Sequence, residues 1–326
     1  MEKVDKTISS SIKGKDFPWG HHRRYNDYPT FIKKKFGGRV QKISINAGFT
    51  CPNRDGSKDV KGCSYCNNNT FRPGYCEPDK TVTEQVEEGV AFFAKKYPDM
   101  RFLAYFQSYS NTYGELELLD QVYSEALNHD KVVGLVIGTR PDCVNEEILD
   151  LIAQKSKDYF VTVEYGIEST VDRTLERINR KHGLDEAIRA VRLTKERNIH
   201  TGGHLILGLP GESREEMLSH AKRVSELSID TLKLHQLQIV KNTTFAKEYK
   251  KSHGDFHLFK LEEYIELAID FLELLSPDIT VERFVNQAPF EMLIAPKWGL
   301  KNFEIVAKIE KQLRDRNTWQ GRYYNG

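Results

Sequence analysis

Short apolar runs alternate along the chain with longer stretches in which apolar residues recur at helical spacing. The run 132–138 has the composition of a parallel strand covered on both faces, whereas 261–275 has a strong helical period. We predict six strands, at 40–45, 101–107, 132–138, 160–167, 201–209 and 231–240. Helices are predicted at 81–97, 116–127, 146–155, 185–197, 214–227, 261–275 and 303–314, and the run 279–284 is compatible with one more strand.

This order of elements predicts an α/β fold, because strands and helices alternate about six times. A partial (β/α)6 barrel of the TIM type fits best, and an open doubly wound sheet is the alternative. We expect a basic N-terminal segment at 1–39, a core barrel at 40–240 and a helical C-terminal extension at 241–326 that packs on the barrel. In either architecture the active site lies at the carboxyl ends of the strands.

Four of the five cysteines lie in one stretch, 43–76, which begins in the first strand and continues as a loop rich in Gly, Asn and Asp. Cys51, Cys63 and Cys66 form a C-x11-C-x2-C pattern. Three thiolates can bind zinc with a fourth ligand from Cys76 or a histidine, or hold an iron–sulfur cluster with one open iron. They can also be buried free thiols, but the polar, turn-rich sequence disfavours burial.

Polar residues recur where the other predicted strands end. They are found at 107–112, 138–142, 164–169, 203–211 and, within the sixth strand, at 233, 235 and 238. A single polar strand end usually only meets water. Five in succession, at the sheet edge that also carries the cysteine loop, predict a binding site there.

Charge and composition add a smaller constraint. The net charge of the 326 residues is +1, but residues 1–45 carry eleven Lys or Arg against four acids, with aromatic residues among them. This segment suits nucleic-acid contact, and a solvated basic arm is the alternative. No run of about 18 apolar residues and no apolar leader occurs, so we expect a cytoplasmic protein without a membrane span.

Several sequence motifs, taken in their order along the chain, resemble those of radical S-adenosylmethionine (SAM) enzymes. The resemblance covers about residues 40–240 and rests on the three cysteines, IGTRPD (137–142), GIES (166–169), NRKH (179–182) and GHLILGLPGE (203–212). The long first gap between cysteines departs from the C-x3-C-x2-C of the wider superfamily. It favours the Elongator-like branch, which includes short stand-alone bacterial members.

The resemblance implies that Cys51, Cys63 and Cys66 bind one 4Fe–4S cluster and that SAM chelates its open iron. The implied SAM-binding residues are Tyr65 and Gly208 near the adenine, Ser108 and Asn111 at the methionine amino group, Glu164 and Glu168 at the ribose, and Arg180 at the methionine carboxylate. The Gly-Gly-Glu form of the family is missing at 108–112. Cys76 and Cys143 have no close partner in sequence, so one cluster is expected.

By the same resemblance the chain is a radical SAM enzyme that generates a 5′-deoxyadenosyl radical. The implied substrate is tRNA, at the C5 side chain of the wobble uridine, and a one-electron donor such as flavodoxin or ferredoxin is the implied partner. A radical enzyme for a small-molecule metabolite is one alternative. A zinc-stabilised nucleic-acid-binding protein is the other.

Overall fold

The computed structural model describes residues 17–70, 72–94 and 96–326. Residues 1–16 of the predicted basic segment lie outside this range. The strands are β1 (Val40–Ile45), β2 (Arg101–Phe106), β3 (Val132–Thr139), β4 (Phe160–Glu168), β5 (His200–Leu207), β6 (Thr231–Gln236), β7 (Ile239–Val240), β8 (Thr280–Arg283) and β9 (Leu293–Ala295). The helices are α1 (Tyr28–Phe36), α2 (Val82–Ala94), α3 (Leu116–Leu127), α4 (Glu146–Ser156), α5 (Asp172–Arg177), α6 (Leu184–Glu196), α7 (Arg214–Glu226), α8 (Thr244–Lys251), α9 (Leu261–Leu274) and α10 (Asn302–Asp315).

Within the described residues, seven strands form one curled, wholly parallel sheet in the order β1-β2-β3-β4-β5-β6-β8. Their buried residues are mostly apolar, because helices cover the outer face of a parallel sheet. Gly134 in β3 shows how closely the strands approach one another: a Cβ there would stand 1.9 Å from the carbonyl oxygen of Phe160. The predicted partial barrel with a C-terminal helical extension is therefore confirmed.

The sequence and the structure differ in the number and the ends of the elements. The run 279–284 does contain a strand, β8, and this strand is the seventh of the sheet. The sixth strand stops at Gln236, and β7 beyond it pairs antiparallel with β9. Helices α1, α5 and α8 were not predicted, since each has nine residues or fewer and so shows little periodicity. The domain boundary at residue 240 stays a prediction.

Helix α1 packs at the amino ends of the strands. Phe31 stacks on His200, the first residue of β5, with ring centroids 5.4 Å apart, and Phe36 meets Phe160, the first residue of β4, at 5.6 Å. The chain beyond α10 meets the N-terminal segment there, because Oε1 of Gln320 accepts from the amide of Asn26 at 2.9 Å. The side chain of Gln320 also donates to the carbonyl oxygen of Ile279, just before β8, at 2.8 Å. Helix α1 and residues 317–320 thus lie at the end of the sheet opposite the cysteine loop.

Candidate active site

The cysteine loop leaves the carboxyl end of β1 and folds through a series of tight turns. The carbonyl oxygen of Cys51 accepts from the amide of Arg54 at 2.8 Å, and that of Cys63 accepts from the amide of Cys66 at 3.0 Å. Cys63 is buried, whereas Cys51 and Cys66 are half-buried, and all three are free thiols. The turns bring the three cysteines to the wall of a single cavity.

The NRKH turn after α5 fixes this loop in place. The side-chain amide of Asn179 donates to the carbonyl oxygen of Gly62 at 2.8 Å, and the amide of Asn53 donates back to the carbonyl oxygen of Asn179 at 2.7 Å. Asn179 has a φ of 57°, a left-handed conformation that asparagine tolerates better than most residues. The motif at 179–182 therefore holds the cysteine loop, and it also presents Arg180 to the cavity.

Three arginines surround the thiols. Arg180 Nη1 lies 3.5 Å from the Sγ of Cys63, Arg140 Nη1 lies 4.0 Å from the same sulfur, and Arg54 Nη2 donates to the carbonyl oxygen of Cys66 at 2.8 Å. Burial raises the pKa of the Cys66 thiol to about 11, so a thiolate at this position needs cations around it. The arginines supply such an environment and also suit an anionic ligand.

The cavity holds about 1140 Å³ of space, including the open space at its mouth. It lies at the carboxyl ends of the parallel strands, as the polar strand ends predicted. Seven of the ten residues that the resemblance assigns to the cluster or SAM line it: Cys51, Cys63, Cys66, Tyr65, Glu164, Glu168 and Arg180. Burial and the nearby Glu168 raise the pKa of Tyr65 well above its usual value, so its hydroxyl stays protonated.

Glu164 is the centre of a buried charge network within the barrel. Its Oε1 accepts from Lys42 at 2.8 Å, and its Oε2 accepts from Lys233 at 2.6 Å and lies 3.0 Å from Nε2 of His204. Lys42 also reaches Glu282 at 2.7 Å. Both carboxylate oxygens thus have partners within the chain, which gives Glu164 a structural function. Its contact with ribose stays a prediction.

Glu168 is less committed than Glu164. Its carboxylate lies 3.9 Å from Arg180 and lines the cavity, and its backbone has a φ of 66°. Such a left-handed conformation is uncommon for glutamate and recurs at functional sites. Of the two carboxylates singled out from the sequence, Glu168 is the more available to a ligand.

Ser108, Asn111 and Gly208 do not line the cavity in the part of the chain that the structure describes. Asn111 joins two strands, since its side chain donates to the carbonyl oxygens of Phe106 and Gly138 at 3.1 and 2.8 Å. From the same 107–112 segment, Ser110 lines the cavity instead. The SAM contacts of these three residues stay predictions.

Gly208 has a structural reason to be glycine. Its φ is +91°, and a Cβ there would come within 2.7 Å of the ring of Phe259.

Cys76 and Cys143 are buried, and burial raises the pKa of each thiol to about 12. Neither cysteine lines the cavity in the described residues, in keeping with one set of three thiols there.

A comparison with protein families assigns the chain to a superfamily. The model of the Radical SAM superfamily matches residues 46–224, more than half of the chain. The chain belongs to the radical SAM superfamily. The Radical SAM C-terminal domain matches residues 229–315, so the family covers the extension as well as the barrel.

The chain is also similar to individual proteins. YtqA of Bacillus subtilis is 31% identical over 316 residues, which is 96% of this chain and 97% of YtqA. A protein named tRNA uridine(34) acetyltransferase, from Methanocaldococcus infernus, is 26% identical over 200 residues, 60% of this chain and 36% of that protein. The solved structure of M. infernus Elp3 with an N-terminal deletion has the same fold, with a TM-score of 0.67 over 86% of this chain and 64% of that one, at 17% identity.

Membership in the radical SAM superfamily implies an enzyme that uses SAM, a 4Fe–4S cluster and a reductant. The residues fit these groups. Cys51, Cys63 and Cys66 give three free thiols on one cavity, as a cluster with one open iron requires. The buried Nε of Arg180 and the Oγ of Ser110 have no hydrogen-bond partner among the described residues, and both residues line the cavity, so they can bind a polar ligand.

Sequence reasoning gave no individual function to several cavity residues. Arg54 lies in the cysteine loop, Tyr109 lies in the polar segment 107–112, and Arg283 lies in the short strand β8. Arg140 had a signal, because it stands in the IGTRPD motif at the end of β3. Its guanidinium pairs with Asp142 through two bonds of 2.8 Å, and, although burial opposes the effect, this pair holds the pKa of Asp142 below its usual range. Among the described residues, no helix is long and apolar enough to cross a membrane.

Proposed function

We propose that the chain is a radical SAM enzyme that modifies tRNA at the C5 side chain of the wobble uridine. The observation that carries the radical chemistry is the convergence of Cys51, Cys63 and Cys66 on one cavity beside Arg140 and Arg180. When bound, the cluster and SAM supply one-electron cleavage of SAM to a 5′-deoxyadenosyl radical. We propose Arg180 and Glu168 as the main SAM-binding side chains.

The choice of tRNA is supported by a relative rather than by the cavity. The protein named tRNA uridine(34) acetyltransferase aligns with 60% of this chain at 26% identity. The alignment includes only 36% of that protein, so we carry over the uridine substrate and not the acetyl transfer. A flavodoxin or ferredoxin is the proposed electron donor.

A second candidate is a radical enzyme that acts on a small-molecule metabolite. It is favoured by the position of the basic residues: Lys33, Lys34 and Lys35 of α1 lie at the amino ends of the strands, away from the cavity mouth. Each residue of a β-strand adds about 3.3 Å to its length, so the two ends of an eight-residue strand such as β5 lie roughly 25 Å apart.

The test is anaerobic reconstitution with iron and sulfide, followed by dithionite, SAM and either bulk tRNA or small metabolites. We expect wild type to release 5′-deoxyadenosine, with stimulation by tRNA. A triple Cys51→Ala, Cys63→Ala, Cys66→Ala variant should be inactive and iron-poor. The matched control, Cys76→Ala with Cys143→Ala, removes two buried thiols outside the cavity and should keep its iron.

The outcomes separate the candidates. Stimulation by a metabolite and not by tRNA would replace the tRNA proposal with the second candidate. Product from the triple variant would contradict the assignment of the three cysteines.

A further inference from the structure

The last strand of the sheet carries a bulge that turns two consecutive side chains toward the barrel interior. Strand β8 runs parallel to β6, and Leu232 pairs with Val281 while Lys233 pairs with Arg283. Glu282 is therefore the extra residue. Side chains of a regular strand alternate between faces, but a bulge breaks the alternation and commonly does so next to active sites. Glu282 reaches Lys233 at 3.2 Å, and Arg283 lines the cavity.

The side chain of Arg283 makes no ion pair or hydrogen bond with any residue that the structure describes, and its Nε is buried without a partner there. A guanidinium stays charged at any ordinary pH, so it cannot relieve this position by losing a proton. An unpaired charge at a partly dry cavity wall is costly unless a ligand compensates it.

The nearest acids are already engaged. Glu282 accepts from Lys42 at 2.7 Å and contacts Lys233 at 3.2 Å, and Glu164 accepts from the same two lysines at 2.8 and 2.6 Å. Among these described residues, the three cations Lys42, Lys233 and Arg283 outnumber the two carboxylates of Glu164 and Glu282. The inner wall of the cavity therefore carries one positive charge in excess.

Two neutral side chains flank this charge. Burial lowers the pKa of His235 to about 3, so its imidazole adds no charge at neutral pH. Asn286 also lines the cavity, and Gln236 and Gln238 both donate to its carbonyl oxygen at 3.1 Å. Its own side chain makes no hydrogen bond within the described residues. The two glutamines thus hold the main chain of Asn286 and leave its amide available to a ligand.

The arginine lies deep in the barrel. It is in register with Lys233, three residues before β6 ends at Gln236, whereas the cysteines lie in a loop beyond the carboxyl end of β1. A ligand that reaches Arg283 therefore extends past the three thiols toward the barrel interior.

We propose that Arg283 binds an oxyanion of the substrate, a carboxylate or a phosphate group, at the inner end of the cavity. The guanidinium fork matches either group through paired hydrogen bonds, with Asn286 as an additional donor. This inference rests on the proposed function only in taking the cavity as the substrate site. It specifies that the part of the substrate lying deepest is anionic.

The test measures binding of two probes, malonate and inorganic phosphate, to the anaerobically reconstituted holoenzyme with SAM by calorimetry. We expect wild type to bind at least one probe, and Arg283→Gln to weaken that binding about tenfold or more. The probe that binds more tightly assigns the group as carboxylate or phosphate. Arg39→Gln is the matched control, because this substitution makes the same change in net charge. Arg39 is exposed, and its guanidinium lies 4.8 Å from the ring centroid of Tyr97.

A measurement on wild type alone covers the case in which the variant fails to fold. Phenylglyoxal modifies accessible arginines, and mass spectrometry of the peptides reads each site. We expect the tighter probe to protect Arg283 and to leave the modification of Arg39 unchanged. No probe binding by wild type, unchanged binding by folded Arg283→Gln, or an unprotected Arg283 would overturn the proposal. None of these readouts uses tRNA or catalysis, so failure of the tRNA proposal would leave this result standing.

Discussion

The guanidinium of Arg180 lies 3.5 Å from the sulfur of Cys63 while its Nε, buried, has no partner among the described residues. The side chain of Arg180 thus contacts a proposed cluster ligand and keeps one donor available to a second ligand. Its Nη2 also donates to the carbonyl oxygen of Gly166, which fixes the guanidinium in the cavity wall. A SAM carboxylate bound here would satisfy the free donor and balance the charge.

Arg180→Gln should therefore weaken SAM binding without removing the cluster. A charge-assisted hydrogen bond is worth about 1.5–3 kcal/mol, so we expect the dissociation constant to rise by roughly tenfold to a hundredfold. Equilibrium binding of SAM to the reconstituted protein measures this, with iron content as the parallel readout. Arg173→Gln, an exposed arginine paired with Glu216, is the control. Unchanged SAM affinity with a full complement of iron would exclude Arg180 from the SAM site.

Glu164→Gln should destabilise the fold. The substitution leaves Lys42 and Lys233 short of one negative charge in the barrel interior, where Glu164 is 1% exposed. Removing one partner of a buried ion pair typically costs about 3–5 kcal/mol. Urea unfolding of the anaerobic protein gives the difference in free energy. Glu146→Gln is the comparison, because the side chain of Glu146 is 74% exposed although it also contacts an arginine. A loss of stability no larger than that of the comparison would show that the network is not structural.

His200 should make the protein less stable in mild acid. It lies between Phe31 and Phe160, and burial lowers its pKa to about 4, against about 6.5 in an unfolded chain. Between these two values only the unfolded state binds the proton, so stability falls as pH falls through that window. From pH 7 to pH 5, wild type should lose about 2 kcal/mol more unfolding free energy than His200→Gln.

Unfolding curves at the two pH values measure the effect of His200. His253→Gln, which removes an exposed histidine, should behave as wild type does. Equal acid sensitivity of wild type and His200→Gln would mean that His200 is not the residue responsible.

Much of the barrel could be predicted because parallel strands and their helices have distinct periodicities. The run at 132–139 is nearly continuous apolar sequence, and it forms a central strand. Strand β8 has four residues, and its bulge depends on pairing with β6, which is distant in sequence. No local pattern could show that Glu282 and Arg283 both point inward.

The candidate site also contains residues that the sequence predicts and residues that it does not. The type and spacing of Cys51, Cys63 and Cys66 indicate a metal site, and the structure brings the three cysteines to one cavity. The resemblance implies a contact between Glu164 and ribose, which stays a prediction, but it gave no indication of the buried ion pairs that Glu164 makes. Its partner Lys42 is 122 residues away in sequence, so the ion pair could be recognised only from the folded, curled sheet.

The position of exposed lysines allows the tRNA proposal to be tested at the level of the surface. Lys61 lies in the cysteine loop. Lys241 follows the cavity residue Val240, and its carbonyl oxygen accepts from the side chain of Asn67 in that loop at 2.9 Å. In contrast, Lys33 and Lys34 lie at the opposite end of the sheet. All four are exposed. If a uridine enters the cavity, Lys61→Gln with Lys241→Gln should weaken tRNA binding and reduce the slope of log affinity against log salt by about 0.7–0.9 per lost phosphate contact. Lys33→Gln with Lys34→Gln makes the same change in charge and should leave both quantities as in wild type. Filter binding across a salt series measures them, and equal losses in the two double variants would mean that tRNA attraction reflects overall charge and not docking at the cavity mouth.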